Sequence, residues 1–194
     1  MYYTYFMDTK IELLNLITMK RLLLLFICIF GTFNAFAQND YPPSTTVNWN
    51  GIKVPNNTVI GVSFEVENAT FGGLSYEDRC DVNPELKTEF HDAVARCVNE
   101  ANDVSEDYGH RIYFSTKTEG KEYQFVFIVK SVSTSGHVYA DAKLITPSGV
   151  ATFTNLSGNG GMYGSFMNLM GDGFQSLGKD IAKRILKAKN KGKI

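Results

Sequence analysis

Two segments of this chain have helical periodicity, and each has a single apolar face that must be covered. Asn83-Pro84-Glu85 reads as the start of the first. Asn suits the cap, Pro the first turn, and Glu the positive end of the helix dipole. Leu86, Phe90, Val94, Cys97 and Ala101 then recur at steps of three or four, one stripe that fades near Asn102-Asp103. The second helix is expected over about Met162 to Lys189, with Phe166, Met170, Phe174, Leu177, Ile181 and Ile185 as its stripe. Gly171 and Gly173 interrupt it at about 1 kcal/mol each relative to Ala, and mark either a break or a close approach to a sheet.

The remaining periodicity is that of strands. In Thr58 to Val66, Ile60, Val62, Phe64 and Val66 form a wholly apolar set alternating with Val59, Gly61, Ser63 and Glu65. Arg111 to Ser115 is a short candidate strand. Glu122 to Ser133 is apolar on both faces, as a central strand would be. In His137 to Thr146, Val138, Ala140, Ala142 and Leu144 are expected to face inward, with His137, Tyr139, Asp141 and Lys143 outward. Pro147-Ser148-Gly149 supplies a turn into Val150 to Leu156. Residues 67–82 read as a long polar loop. The order is β-α-β-β-β-β-α, and it predicts an α+β two-layer sandwich in which both helices cover one face of a mainly antiparallel sheet of four or five strands.

Upstream, Met19-Lys20-Arg21, an apolar run from Leu22 to Phe30, and Ala35-Phe36-Ala37 have the three parts of a cleavable secretory signal. The run is shorter than the roughly 20 residues a bilayer span requires. The reading is therefore a signal at 19–37 cleaved between Ala37 and Gln38, with residues 1–18 an artefact of start-site assignment. An extended leader at 38–57 follows, with a short edge strand near Val47–Trp49, and a single domain at 58–190. The expected location is periplasmic or secreted, with no transmembrane segment left after cleavage. Cys28 departs with the signal, leaving Cys80 and Cys97, which in an oxidising compartment are expected to pair as a disulfide.

Cleavage removes three basic and two acidic residues and leaves 16 basic against 18 acidic. This balance excludes a dedicated nucleic-acid binder, which needs a dominant basic face. The charge is unevenly placed, however. Residues 179–194 carry seven basic side chains and one acidic one, Asp180.

The stretch from Tyr123 to Leu186 runs through a hydrophobic strand, a hairpin closed at Pro147-Ser148-Gly149, a Gly-rich bend and an amphipathic terminal helix. In this order of elements it resembles the small α/β domains of Gram-negative envelope accessory proteins, of the curli-secretion and penicillin-binding-protein-activator lipoprotein type. The resemblance implies an accessory or binding role and transfers no functional residues. The chain departs from those families in having Ile27 before Cys28, where lipidation needs a small residue.

The candidate chemistry is sparse. Ser157-Gly158-Asn159-Gly160-Gly161-Met162-Tyr163-Gly164-Ser165 lies between a strand and a helix, where backbone N–H groups can cradle an anion. Gly158, Gly160, Gly161, Gly164 and Ser165 would form that site, although Tyr163 breaks the dinucleotide-binding spacing. Asp81-Val82-Asn83-Pro84-Glu85 echoes a calcium loop but has Leu86 where the loop turns on Gly. His91, His110 and His137 lie on separate elements without zinc spacing, and no G-x-S-x-G is present. No metal or cofactor is expected. Partner contacts are assigned to Phe71 and Tyr76 in the long loop, to Tyr139 on the outer sheet face, and to Lys187, Lys189 and Lys191, whose charge suits anionic envelope polymers or lipid head groups.

Taken together, these residues predict an exported, non-catalytic envelope accessory protein that binds an envelope protein or surface polymer. The alternatives are a small-ligand or anion binder built on residues 157–165, and a hydrolase whose site is assembled from distant residues.

Overall fold

The computed structural model describes residues 44–109 and 111–194, which belong to one unit, Pro42–Ile194. The expected signal with its cleavage point, residues 1–18, Cys28, the first part of the leader and His110 lie outside the described residues. The strands are β1 (Thr46–Asn48), β2 (Thr58–Glu65), β3 (Thr70–Phe71), β4 (Leu74–Ser75), β5 (Ile112–Ser115), β6 (Tyr123–Val132), β7 (Val138–Thr146) and β8 (Gly149–Gly158). The helices are α1 (Tyr76–Val82), α2 (Leu86–Asp107) and α3 (Phe166–Asn190).

The fold is α+β, but its sheet is mixed. The strand order is β1-β8-β7-β6-β2-β5, with the β3/β4 hairpin appended to β6. From β6 to β1 every pairing is antiparallel, which is the expected meander. β2, however, runs parallel to both β5 and β6. Alternation in Thr58 to Val66 marks which side chains are buried; it carries no information about which neighbours the strand takes, so the parallel half leaves no local signal in the chain.

Gly61 explains how this topology closes. The chain leaves β2, passes through α2 and returns as β5, then must cross back over β2 to begin β6. A right-handed return in the opposite direction has to run over the opposite face of the sheet. Residues 116–122 make that crossing, and a Cβ at Gly61 would lie 2.9 Å from Thr118 Cα. Only glycine lets the crossing backbone lie directly on the strand.

Residues 67–82 are not a loop. They form β3, β4 and α1, with the Ser75 hydroxyl accepting from Asp78 N–H at 3.1 Å and donating to the Asp78 carboxylate at 2.7 Å. Ser-x-x-Asp is a helix-start signal that was present in the sequence. Asn83 ends α1 instead of capping α2: its N–H donates to Arg79 O, and its carbonyl accepts from Leu86 N–H. Phe71 is 0% exposed and Tyr76 is half-buried, and both stack into a ring cluster with Phe64, Phe90 and Phe174. The polar surroundings of Phe71 and Tyr76 suggested an exposed pair; the hairpin folds them under α2 instead.

Both long helices pack on the face formed by Ile60, Val62, Phe125 and Phe127. Where α2 meets α3, Gly178 lies against the backbone of Cys97. The expected Cys80–Cys97 disulfide is not formed; both thiols are free. Cys97 is turned into the α2–α3 contact, and burial pushes its thiol pKa upward. Cys80 sits on α1 beside Tyr76, whose phenol pKa is raised first by burial and then by Cys80.

A polar clasp joins the exposed edges of the same two helices. Gln175 Nε2 donates to Glu100 Oε2 at 2.7 Å, and Lys179 Nζ lies 3.1 Å from Glu100 Oε1. The Glu100 side chain is only 14% exposed. The Gln175 hydrogen bond, joined by Lys179, holds its carboxyl below the usual range against the cost of burial. A depressed carboxyl pKa stabilises the fold above the unfolded-state value, and that stability is lost as pH falls through the folded-state value. Denaturation followed from pH 7 to pH 3 should therefore show a smaller acid-induced loss of stability in Glu100→Gln than in the parent. Identical pH profiles would show that the clasp contributes nothing.

The leader also departs from expectation. A turn with Asn50 and Gly51 at positive φ leads into Ile52 and Val54, both buried in the core. The second half of 38–57 is therefore part of the domain.

Candidate partner-binding groove

The two ends of the sheet are treated differently by their surroundings. At one end, β5 is sealed. The Asn102 amide of α2 accepts from Phe114 N–H at 2.8 Å and donates to Phe114 C=O at 3.0 Å, while Ser105 Oγ donates to Ile112 C=O. Residues one helical turn apart thus supply the hydrogen bonds that another strand would have made, which is a protection against edge pairing. At the other end, β1 pairs only with β8, through Thr46–Thr154, Val47–Phe153 and Asn48–Thr152. Among the described residues, no other backbone or side-chain group bonds to its main chain.

Beside that open edge, between β1 and the last turns of α3, lies a groove of about 200 Å³. Val47 and Trp49 form its floor with Ala188, and Trp49 meets Phe153 edge-on at 5.3 Å between ring centres. Arg184, Lys187, Lys191 and Lys193 form its rim. Arg184 is committed to Asp180 at 2.6 Å. Lys187, Lys191 and Lys193 are exposed and have no ion-pair or hydrogen-bond partner for their ammonium groups among the described residues.

The last two of these lysines are held in place by backbone. Gly192 at φ +64 lets the chain reverse after α3, with Gly192 N–H donating to Lys189 C=O and Lys193 N–H to Ala188 C=O. This paired closure is the Schellman form of helix ending. Lys189, expected to join the partner surface, turns elsewhere: its ammonium donates to Val54 C=O, and burial together with nearby Arg111 lowers its pKa. Trp49 and Val47 were not legible as groove residues, because their neighbours are supplied by a helix about 140 positions away in the chain.

The Gly-rich segment has a different geometry from the one its composition suggested. Cβ atoms at Gly158, Gly160 and Gly161 would overlap Gly173 O, Ser135 O and the Asp172 carboxylate respectively. The absent side chains make room for α3 and the β6–β7 turn. Gly160 N–H also donates to His137 Nδ1 at 3.2 Å. Gly164 takes a positive φ and Ser165 caps α3 by accepting from Asn168 N–H. At its tip, Met162 and Tyr163 are 86% and 88% exposed.

Ser165, Phe166, Met167 and Asn168 face Val82, Pro84, Glu85 and Glu89 across an open cleft of about 620 Å³. The charged groups lining it are carboxylates, which oppose an anion. Tyr139 is half-buried, at the register position between Ser131 and Ser157 on the sheet face away from the helices. Among the described residues, no three His, Cys, Asp or Glu side chains gather as a metal-holding group, and no helix is long and apolar enough to cross a membrane. Comparison with protein-family models gave no match, and neither did comparison with the curated proteins.

Proposed function

We propose that this chain is an exported, non-catalytic binding protein of the cell envelope, which holds an anionic partner protein in the groove between β1 and the end of α3. The observation that supports this reading is the set of three lysines, without a partner among the described residues, standing around a tryptophan floor. Unneutralised like charges crowded on one rim repel one another, and an anionic partner relieves that repulsion. The apolar floor adds burial that a simple counterion cannot use. Outside residues 179–194 the chain carries 12 basic against 19 acidic side chains, so the attraction is local to this site.

Trp49 is the only tryptophan, so its emission reports on the groove directly. Titration with soluble polyglutamate should shift that emission saturably and weaken with added salt. Reversing Lys187, Lys191 and Lys193 together to glutamate should reduce the affinity by at least about tenfold. An emission spectrum indifferent to polyglutamate at low salt would remove the proposal.

A second reading, small-molecule binding, is favoured by the cleft at Ser165–Asn168. Its carboxylate lining suits a cationic or neutral ligand, with Met167 as an adaptable apolar wall.

A further inference from the structure

We infer that the groove and the β1 edge together receive an extended acidic segment of a partner protein, which pairs with β1 as an added strand of the sheet. This inference rests on the groove being the partner site, and it specifies both the conformation and the chemistry of what enters.

Three observations converge on it. The first is the contrast between the two edges. Both β5 and β1 end the sheet, yet among the described residues only β5 is closed, by Asn102 and Ser105. An antiparallel strand directs alternate N–H and C=O pairs to opposite sides, so β1 turns at least one full donor–acceptor pair away from β8. The second is position. Val47 and Trp49 lie on the helix side of the sheet, as shown by their contacts with Ala188 and Phe153. A strand placed beside β1, at the usual spacing of roughly 4.8 Å, would run under the last turns of α3 and turn every second side chain into the groove. The third is charge. The charged groups that those side chains would meet are Lys187 and Lys191 on the groove's rim, so the inward positions call for carboxylates, which a strand alternating acidic and apolar residues supplies on one face.

Main-chain pairing gives affinity in this mode and the alternate side chains give selectivity. The short length of β1 limits the added strand to a few residues, and the lysines compensate for that brevity. A membrane surface fits less well. Trp49 is the floor of a concavity and not a protruding anchor, so it would not reach acyl chains.

Four probes separate the possibilities: an octapeptide alternating glutamate and valine, the same peptide with its β1-facing amides N-methylated, a lysine–valine counterpart, and polyglutamate of matched charge. Binding is read from Trp49 emission and from anisotropy of the labelled peptide. The glutamate–valine peptide is expected to bind at least about tenfold more tightly than its N-methylated form or polyglutamate, and the lysine–valine peptide not at all. Lys187→Glu with Lys191→Glu should abolish that preference while leaving circular dichroism unchanged.

Equal binding of the N-methylated peptide would overturn strand addition and leave the anionic groove standing. Failure of every anionic probe would overturn both readings. Self-association of the chain without peptide, lost on adding it, would assign the edge to a second copy and also overturn the inference.

Discussion

Gly178→Val is expected to destabilise the protein by about 3 kcal/mol, because the new side chain must enter a contact that has no room for it. A Cβ at Gly178 would overlap the carbonyl oxygen of Cys97 and lie 2.8 Å from its carbonyl carbon. Both atoms are backbone in the middle of α2, so relief requires the two helices to separate. The contact they share includes Cys97, Ala101, Leu177 and Ile181, all buried, and separation would open the layer that covers Val62 and Phe127.

Gly171→Ala is the control. Gly171 lies in the same helix, but there the added Cβ meets Arg96 Nη1 at 2.6 Å, the far end of a flexible side chain. Arg96 can swing away at little cost, since its ion pair with Asp172 spans 3.8 Å between half-exposed groups. Helix propensity then governs, and this variant should be neutral or more stable by up to about 1 kcal/mol. Urea midpoints of the two variants measure the difference. If they move together, in either direction, the steric account of Gly178 is wrong.

Asn102→Ala should cost about 2 kcal/mol, roughly 1 for each of the hydrogen bonds it makes to Phe114. Asn102→Asp is the sharper experiment. A carboxylate still accepts from Phe114 N–H but faces Phe114 C=O without a proton to donate, so at neutral pH it should recover little of the loss. Both substitutions also uncover the β5 edge. An exposed row of strand donors and acceptors is a template for pairing with other chains. Light scattering during storage should therefore rise in both variants beyond what their loss of stability accounts for, as judged against Gly178→Val at matched unfolded fraction. Variants as monodisperse as the parent would show that Asn102 braces α2 without guarding the sheet.

The elements visible in the chain were those whose signal is local and repeated. Met170, Phe174, Leu177, Ile181 and Ile185 recur as a helical stripe and are all buried on α3. Val138, Ala140, Ala142 and Leu144 alternate and are all buried on β7. The first helix has its stripe slightly rotated: Ala93, Val98 and Val104 lie deeper than Phe90 and Val94, because α2 packs against α3 at its side as well as on the sheet beneath it. The Gly-rich segment stood out by composition, but its glycines answer to contacts with Ser135, Asp172 and Gly173, which no spacing rule reports.

Periodicity and turn chemistry alone determined the α+β class, the two long helices, the inward face of each strand and the concentration of positive charge at 179–194. Each depends on side chains a few positions apart, and so is written in the order of residues. The parallel placement of β2, the burial of Phe71, the separation of Cys80 from Cys97 and the union of Trp49 with Lys187 and Lys191 were decided only when distant segments packed. In those cases the deciding energy is steric fit and burial between elements, and the partner's position along the chain leaves no trace in the residues that await it.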